Sequence, residues 1–244
     1  MAIGPDIIIG TDGPDYLVAG DDGGVMYGLD GDDTLDGLGG NYYNDYILYG
    51  GRGDDLYIVD GGDAAVEDVD SGIDQVVTFV SGYVLPANIE NLSIAEGFLV
   101  YGNDLDNLIT GNAMDETLYG MRGDDVLEGG LRNDTLYGGR GDDRLIGYGG
   151  DGYERDLLIG GRGADTFVVV TESDGGFGSV VRDFKRQQGD KIEIAGFSAT
   201  SMYTLDTTKN LGGRADRLDT GIYADDVLIA TILDRSITGA DIIG

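Results

Sequence analysis

The chain has 244 residues, a formal net charge of −31 and 45 glycines, and it lacks cysteine, histidine and tryptophan. This charge argues against nucleic acid and anionic membrane surfaces as partners, and the lack of cysteine excludes disulfides. A compact state with so much negative charge repels itself unless cations neutralise it, so we expect the metal-free chain to be largely disordered. Because 41% of the residues are hydrophobic and occur in phase with a repeat, we expect the metal-loaded chain to fold.

The first array of repeats covers residues 10–58. It reads GTDGPDYLV, AGDDGGVMY, GLDGDDTLD, then the thirteen-residue GLGGNYYNDYILY, and closes with GGRGDDLYI. A fixed short period predicts one small structural unit that is stacked on itself. Each unit combines a polar glycine–aspartate turn with a very short strand. We expect the large apolar residue at the eighth position to face a narrow core.

The second array follows a spacer at residues 59–101. Residues 102–168 contain five consecutive nine-residue units, a thirteen-residue unit and a final nine-residue unit. Residues 28–58 align with 138–168 without a gap, and roughly half of the aligned residues are identical. Since the same four-residue insertion occurs twice, we infer that a whole arm was duplicated. Beyond the array, VVRDF, KIEIAGF and DVLIATIL are candidate strands of a C-terminal cap.

The units resemble the nonapeptide GGxGxDxUx of the RTX (repeats-in-toxin) family, where U is a large apolar residue. Residues 71–94 look like the spacer between RTX arrays, and 180–197 resemble the segment that closes the roll in serralysin-type C-terminal domains. The resemblance implies an all-β fold, a parallel β-roll or β-solenoid of two arms with a β-rich C-terminal cap. Two units would form one coil, and turns on the same side would share calcium ions.

This reading predicts four parts of the chain. They are an N-terminal arm at 1–58, a β-rich spacer at 59–101, a second arm at 102–168, and a cap with a candidate type I secretion signal at 169–244.

Calcium is the predicted cofactor, with several ions per chain. It takes six to eight oxygen ligands, and these turns offer backbone carbonyls at the glycine-rich positions and a carboxylate at the sixth. The predicted calcium residues are Thr11, Gly13, Asp15, Leu29, Gly31, Asp33, Gly51, Gly53, Asp55, Met121, Gly123, Asp125, Asp134, Gly139, Gly141, Asp143, Gly161, Gly163 and Asp165. Each arm is expected to carry one intact row and one degraded row. Gly24 replaces the aspartate in the first arm, and Arg132 replaces the fourth-position glycine beside Asp134 in the second.

Catalytic motifs find little support in the sequence. A serralysin-type zinc site needs histidines, and the chain has none; it also lacks a GxSxG elbow and a cysteine nucleophile. Carboxylate pairs such as Asp54–Asp55 suggest glycosidase chemistry, but they occupy positions five and six of the repeat. The RGD triplets at 52–54, 122–124 and 140–142 likewise follow from the repeat. We expect the chain not to be an enzyme.

Tyrosines in the thirteen-residue units are candidates for contacts with a partner. Exposed aromatic side chains outside a repeat favour contacts with sugars or proteins. The alternative is that they cover one end of a roll. The candidates are Tyr42, Tyr43, Tyr46 and Tyr153.

The sequence favours a secreted, extracellular protein, with cell-surface association as a further expectation. It has no stretch long enough to span a membrane and no secretory signal peptide, and RTX proteins that resemble it leave through type I secretion machinery. The expected role is an extracellular matrix, surface-layer or fibre-forming protein, favoured because the array starts within ten residues of Met1. The short apolar strand at 6–9 predicts head-to-tail self-association. The alternative is a carbohydrate-binding or folding module accessory to a secreted enzyme, like the R-modules of alginate epimerases, with an extracellular polysaccharide as its partner.

Overall fold

The computed structural model describes residues 6–20, 22–37, 45–69, 71–147, 154–170, 178–195, 203–209, 211, 218–224, 227–233, 235 and 237–243. The chain forms two compact units, Met1–Leu108 and Ile109–Gly244. The described residues form strands, together with short 3-10 turns at Arg186–Gln188 and Gly239–Asp241. None of the helices in these ranges is long and apolar enough to cross a membrane.

Unit 1 is built from two sheets of parallel strands that alternate along the chain. The first contains β1 (Asp6–Ile9), β3 (Gly24–Asp30), β5 (Tyr46–Arg52) and β7 (Ala64–Val66), in that spatial order. The second contains β2 (Tyr16–Val18), β4 (Thr34–Asp36), β6 (Leu56–Val59), β8 (Gln75–Thr78) and β10 (Asn91–Ile94). A further parallel pair comprises β9 (Tyr83–Val84) and β11 (Leu99–Tyr101).

Unit 2 repeats this alternation and adds antiparallel strands near its end. One sheet contains β12 (Leu108–Thr110, whose first residue belongs to unit 1), β14 (Val126–Glu128), β16 (Arg144–Ile146), β18 (Thr166–Val170), β20 (Lys191–Ala195) and β24 (Ile242–Ile243). The other contains β13 (Thr117–Arg122), β15 (Thr135–Arg140), β17 (Leu157–Arg162), β19 (Ser179–Val181), β23 (Val227–Ile232), β22 (Asp219–Ala224) and β21 (Tyr203–Lys209). The strand β22 is antiparallel to both of its neighbours, β21 and β23.

The register of the strands shows how the repeat becomes a coil. Thr117 in β13 pairs with Thr135 in β15, which is two nine-residue units further along the chain. Thr135 pairs in turn with Leu157, a spacing of one nine-residue and one thirteen-residue unit. Two repeat units therefore make one coil, and the four extra residues of the longer unit leave the pairing of its strand intact. The predicted parallel β-roll is confirmed.

Much of the core within the repeats consists of the apolar residues at the eighth position, or at the equivalent twelfth position of a thirteen-residue unit. In unit 2 these side chains are fully buried, and in unit 1 the same is true of Met26, Leu35 and Tyr57. The unit 2 set comprises Ile109, Leu118, Leu127, Leu136, Leu145, Leu158 and Phe167. A strand places alternate residues on opposite faces, so this single position per unit fills a narrow interior. Leu17, in the first coil, is half-buried.

The spacer residues continue the coils of unit 1. Gln75 in β8 pairs with Leu56 in β6 on one side and with Asn91 in β10 on the other. Val76 and Leu92 are fully buried, like the eighth-position residues before them. The segment between the two arrays thus repeats the same strand arrangement without the full glycine motif.

Candidate metal centre

The sixth-position aspartates stack into columns that run from coil to coil. In column 1, which lies in unit 1, the backbone N–H of Asp15 donates to Oδ1 of Asp33 at 2.8 Å. The N–H of Asp33 donates in the same way to Oδ1 of Asp55 at 2.7 Å, and that of Asp55 to Asp74 at 2.8 Å. The N–H of Asp74 closes the series on Oε2 of Glu90 at 2.9 Å. Each carboxylate is therefore held by the backbone of the preceding coil.

Column 2, in unit 2, has the same construction. The N–H groups of Asp125 and Asp143 donate to Oδ1 of Asp143 and Asp165 at 3.0 and 3.1 Å. Asp165 then donates to Oδ1 of Asp190 at 3.3 Å. Asp190 lies just before β20, outside the array, so this column also extends past the last repeat.

Column 3 lies on the other side of unit 2, where the sequence predicted a degraded row. The N–H of Glu116 donates to Asp134 Oδ1 at 2.8 Å, and the N–H of Asp134 donates to Asp156 Oδ1 at 3.1 Å. Arg132 adopts φ 77°, in the same left-handed region as the glycines it replaces. The arginine therefore does not interrupt the hydrogen-bonded column, and the weaker calcium binding predicted for this row stays a prediction.

One oxygen of each central aspartate remains without a hydrogen bond. The Oδ2 atoms of Asp33, Asp55, Asp134, Asp143 and Asp165 are buried and accept no hydrogen bond in the structure. Burial, with nearby carboxylates adding to it, raises the pKa of Asp55 to about 7, that of Asp143 to about 8 and that of Asp165 to about 6. Burial also raises the pKa of Asp134. Such oxygens are costly to bury unless a cation coordinates them.

The glycines of the repeat fit this arrangement sterically. A Cβ atom at Gly138, the first residue of its unit, would collide with the carboxylate of Asp143 in the same unit. The same holds for Gly28 with Asp33 and for Gly160 with Asp165. The first glycine is therefore needed because the sixth-position carboxylate folds back against its Cα.

The second and fourth positions bring backbone carbonyls to the same turns. Ten of the predicted residues at these positions have φ between 85° and 131°, and they include the non-glycines Leu29 and Met121. A Cβ at Gly51 would collide with the carbonyl oxygen of Leu29, and one at Gly163 with that of Gly141. The remaining predicted residues of this kind are Gly31, Gly53, Gly123, Gly139 and Gly161. Carbonyl and carboxylate oxygens without nitrogen or sulfur donors are the ligand set of calcium, so the residues fit this ion.

The first predicted turn differs from the others. Thr11 and Gly13 are not among the residues with left-handed φ. The N–H and hydroxyl of Thr11 both donate to Asp15 Oδ2, at 2.6 and 2.9 Å. The Asp15 carboxylate is thus hydrogen-bonded within its own turn, which makes this turn the least ready of those predicted to hold an ion.

The tyrosine prediction is wrong for Tyr46. Its side chain is fully buried, accepts a hydrogen bond from the Gly20 N–H at 2.9 Å and donates to Asp6 at 3.3 Å. It packs in the core because it starts β5 on the inward face, so it is not available to a partner. Tyr42, Tyr43 and Tyr153 lie outside the described residues.

Sequence reasoning missed the carboxylates that extend the columns, namely Asp74, Glu90, Asp156 and Asp190. A signal was present for three of them, because Asp74, Asp156 and Asp190 each stand two residues before a buried apolar residue: Val76, Leu158 and Ile192. This is the D-x-U part of the repeat without its full set of glycines. Glu90 precedes Leu92 in the same way, with glutamate in place of aspartate.

Comparison with known proteins agrees with this geometry. The family model for the RTX calcium-binding nonapeptide repeat (4 copies) matches residues 3–23, 9–43, 101–131, 119–154 and 128–167. The two segments that these matches cover, 3–43 and 101–167, are RTX calcium-binding nonapeptide repeats.

Two individual proteins are similar over part of their length. An endo-1,3-1,4-beta-glycanase, ExsH, from Rhizobium meliloti (strain 1021) is 33% identical over 119 residues, which is 48% of this chain and 25% of the glycanase. The crystal structure of the extracellular lipase LipA from Serratia marcescens matches 99% of this chain and 40% of the lipase, at 20% identity and a TM-score of 0.31. The chain thus spans a quarter of the glycanase and two fifths of the lipase.

Proposed function

We propose that this protein is a secreted calcium-binding structural protein, which folds where calcium is plentiful and has no catalytic site of its own. The observation that carries the proposal is the set of buried, unpartnered Oδ2 atoms along all three carboxylate columns. When buried polar groups serve as ligands of a cation, the free energy of binding that cation stabilises the fold. Extracellular calcium modules work with dissociation constants of about 10⁻⁴–10⁻³ M, which keeps such a chain unfolded at the low calcium level of the cytosol.

Export through type I machinery follows from this proposal, because such a route favours a chain that remains unfolded until it leaves the cell. Residues 169–244 are the candidate signal. The test is to fuse them to a reporter and to measure its export from cells that carry a type I system. A reporter that stays inside would remove the support for this route.

Self-association is the structural role we propose, with the outer edge of β1 as the contact. Ile7 and Ile9 on β1 are 68% and 62% exposed, and β1 has a described neighbour only on the side of β3. An apolar strand with a free edge is a template for pairing with another chain. We expect particles larger than the monomer to form in millimolar calcium and to disappear in chelator.

The matched test compares two double variants by sedimentation velocity. Ile7→Lys with Ile9→Lys places charges on the β1 edge and should leave a monomer in calcium. Val69→Lys with Phe98→Lys adds the same charge at residues that are exposed but outside strands, and should assemble like the wild type. A wild type that stays monomeric at high concentration and millimolar calcium would contradict the proposed role.

A second candidate function is a carbohydrate-binding module that accompanies a secreted enzyme. The partial similarity to a glycanase favours it, since the matched segment is a quarter of that enzyme. Unit 1 also has a cleft lined by Tyr27, Tyr49, Asp30 and Arg52. The rings of Tyr27 and Tyr49 stack at 5.1 Å with an 8° angle between their planes. Aromatic faces beside charged and polar groups are suited to binding sugars.

Both candidates are tested with mixed-linkage β-glucan. Retention on the insoluble polysaccharide in calcium, lost in a Tyr27→Ala and Tyr49→Ala variant, would favour the accessory module over the self-assembling protein. Release of reducing sugar from the same glucan by the purified, calcium-loaded protein would contradict the proposal that it has no catalytic site.

A further inference from the structure

Three buried carboxylates meet in unit 1: two belong to column 1, and the third, Glu67, lies outside the repeat pattern. Oxygen atoms of Asp55, Glu67 and Asp74 all lie within 4.8 Å of one another. Asp55 is 2% exposed, Glu67 is 7% exposed and Asp74 is 0% exposed. Asp55 belongs to the last unit of the first array, and Glu67 and Asp74 belong to the spacer; all three lie outside the residues matched by the RTX repeat family model.

Hydrogen bonds fix the position of the Glu67 carboxylate. The hydroxyl of Tyr57 donates to Glu67 Oε1 and accepts a hydrogen bond from the Gly50 N–H at 2.7 Å. The Asp68 N–H donates to Glu67 Oε2 at 3.2 Å. Because Tyr57 is itself fully buried, its hydroxyl orients the glutamate toward the interior.

The Asp74 carboxylate is fixed in a similar way. Its Oδ1 accepts the Asp55 N–H at 2.8 Å, and its Oδ2 accepts the Ser71 hydroxyl at 3.3 Å. The cluster is therefore built by two turns of the spacer that fold against the last coil of the array.

An unpartnered oxygen points into this cluster. Asp55 Oδ2 is buried and accepts no hydrogen bond. A Cβ atom at Gly50 would collide with Asp55 Oδ2, Glu67 Oε1 and the Tyr57 hydroxyl together, so these three oxygens converge on one spot beside the glycine. A side chain at residue 50 would fill the space that they enclose.

The charges of the cluster are not balanced by the protein. Within the described part of the chain, no Lys or Arg forms an ion pair with Asp55, Glu67 or Asp74. Three carboxylates buried together repel one another strongly in a medium of low polarity. A bound cation would offset this repulsion and would be coordinated by the unpartnered oxygen.

We propose that Asp55, Glu67 and Asp74 form a divalent cation site that joins the spacer to the first array. Bonds of about 2.3–2.6 Å let one calcium ion span oxygens up to about 5 Å apart, which the cluster satisfies. The donors are all oxygen, which favours calcium over zinc. Magnesium keeps several waters, so a buried cluster with three protein carboxylates suits it less well. The site is independent of the extracellular role proposed above.

The first test counts bound ions. Native mass spectrometry of the calcium-loaded full chain should show one calcium ion fewer in Glu67→Gln than in the wild type, since the amide keeps the shape of the side chain and removes its charge. Glu96→Gln is the matched control, because Glu96 is an exposed glutamate in the same unit. It should retain the wild-type count. An unchanged count in Glu67→Gln would overturn the proposal.

The second test remains informative if Glu67→Gln does not fold. Terbium replaces calcium at oxygen sites and emits when it is excited through a nearby tyrosine. Tyr57→Phe keeps all three carboxylates but removes the phenol beside them, so its calcium count should match the wild type while its terbium emission falls. Emission equal to that of the wild type would show that no ion lies beside residue 57, and would also overturn the proposal.

Discussion

The backbone N–H of Asp125 lies 3.0 Å from Oδ1 of Asp143, one coil further along, while the other oxygen of the Asp143 carboxylate is buried without a partner. The hydrogen bond positions the carboxylate, and the unpartnered oxygen remains for an ion. The same division between the two oxygens recurs at Asp33 and Asp55 in unit 1. Because this division is repeated, we expect the fold to depend on calcium.

Calcium removal is expected to unfold the protein. Without the ion, the carboxylate columns repel one another within a chain of net charge −31. Far-UV circular dichroism should show mostly coil in chelator and recover the β signal in millimolar calcium. A chelated protein with an undiminished β signal and melting temperature would contradict the linkage between calcium and folding.

Substitution of a carboxylate that belongs to a hydrogen-bonded column should weaken calcium-induced folding, whether or not its turn has the full glycine motif. We expect Asp143→Asn and Asp134→Asn each to raise the calcium midpoint by about tenfold, equivalent to ~1.4 kcal/mol. Asp15→Asn should have a smaller effect, because Thr11 already satisfies the Asp15 carboxylate. Asp142→Asn is the control, since Asp142 is the exposed neighbour of Asp143. Calcium titrations followed by circular dichroism provide the comparison; an Asp134 variant that behaves like Asp142→Asn would show that column 3 binds no ion.

A methyl group at the first glycine of a repeat unit should destabilise the folded protein. Gly138→Ala places a Cβ against the carboxylate of Asp143, and overpacking of this kind costs about 1–3 kcal/mol. The calcium-loaded variant should therefore melt at a lower temperature than the wild type. Gly13→Ala is the matched control, because a Cβ at that glycine meets no atom within 4 Å. Equal melting temperatures for the two variants would argue against the close approach of the carboxylate.

The metal-free protein should be more folded in mild acid than at slightly alkaline pH. The pKa of Asp143 is raised to about 8 and that of Asp55 to about 7, above the unfolded value of about 3.9. A group whose folded pKa is raised stabilises the fold when it is protonated. This contribution is fully present below about pH 4 and is lost as the pH rises through 7 and 8. Circular dichroism in chelator should therefore show more β signal at pH 5 than at pH 8.

The pH dependence of folding reverses when calcium is present, because the ion binds deprotonated carboxylates. Asp143→Asn imitates the protonated side chain, so it should reduce the pH dependence in chelator more than Asp142→Asn, which removes the same charge from an exposed residue. Equal pH profiles for both variants would attribute the effect to net charge alone.

Unit 2 shows how much of the candidate metal centre could be predicted from the sequence. The spacing of nine identified the coil, the buried eighth-position residues and the aspartates of column 2, all of which depend on residues close together in the chain. It did not identify Asp156, which continues column 3, or Asp190, which continues column 2. Both lack the complete glycine motif, and they reach their columns only because their strands pair in register with the preceding coil.

The sequence by itself determined the all-β repeat architecture and the calcium chemistry of the turns. A nine-residue period with glycine, aspartate and an apolar residue at fixed positions admits one short strand and one acidic turn per unit. The tertiary structure decided which carboxylates stack, that Tyr46 is buried, and that Glu67 reaches Asp55 and Asp74. The physical reason is that stacking depends on strand register, and strands can pair in register even when the segments between them differ in length. Asp55 and Asp74 are neighbours in column 1, as are Asp74 and Glu90, although the two pairs have different spacings in the chain.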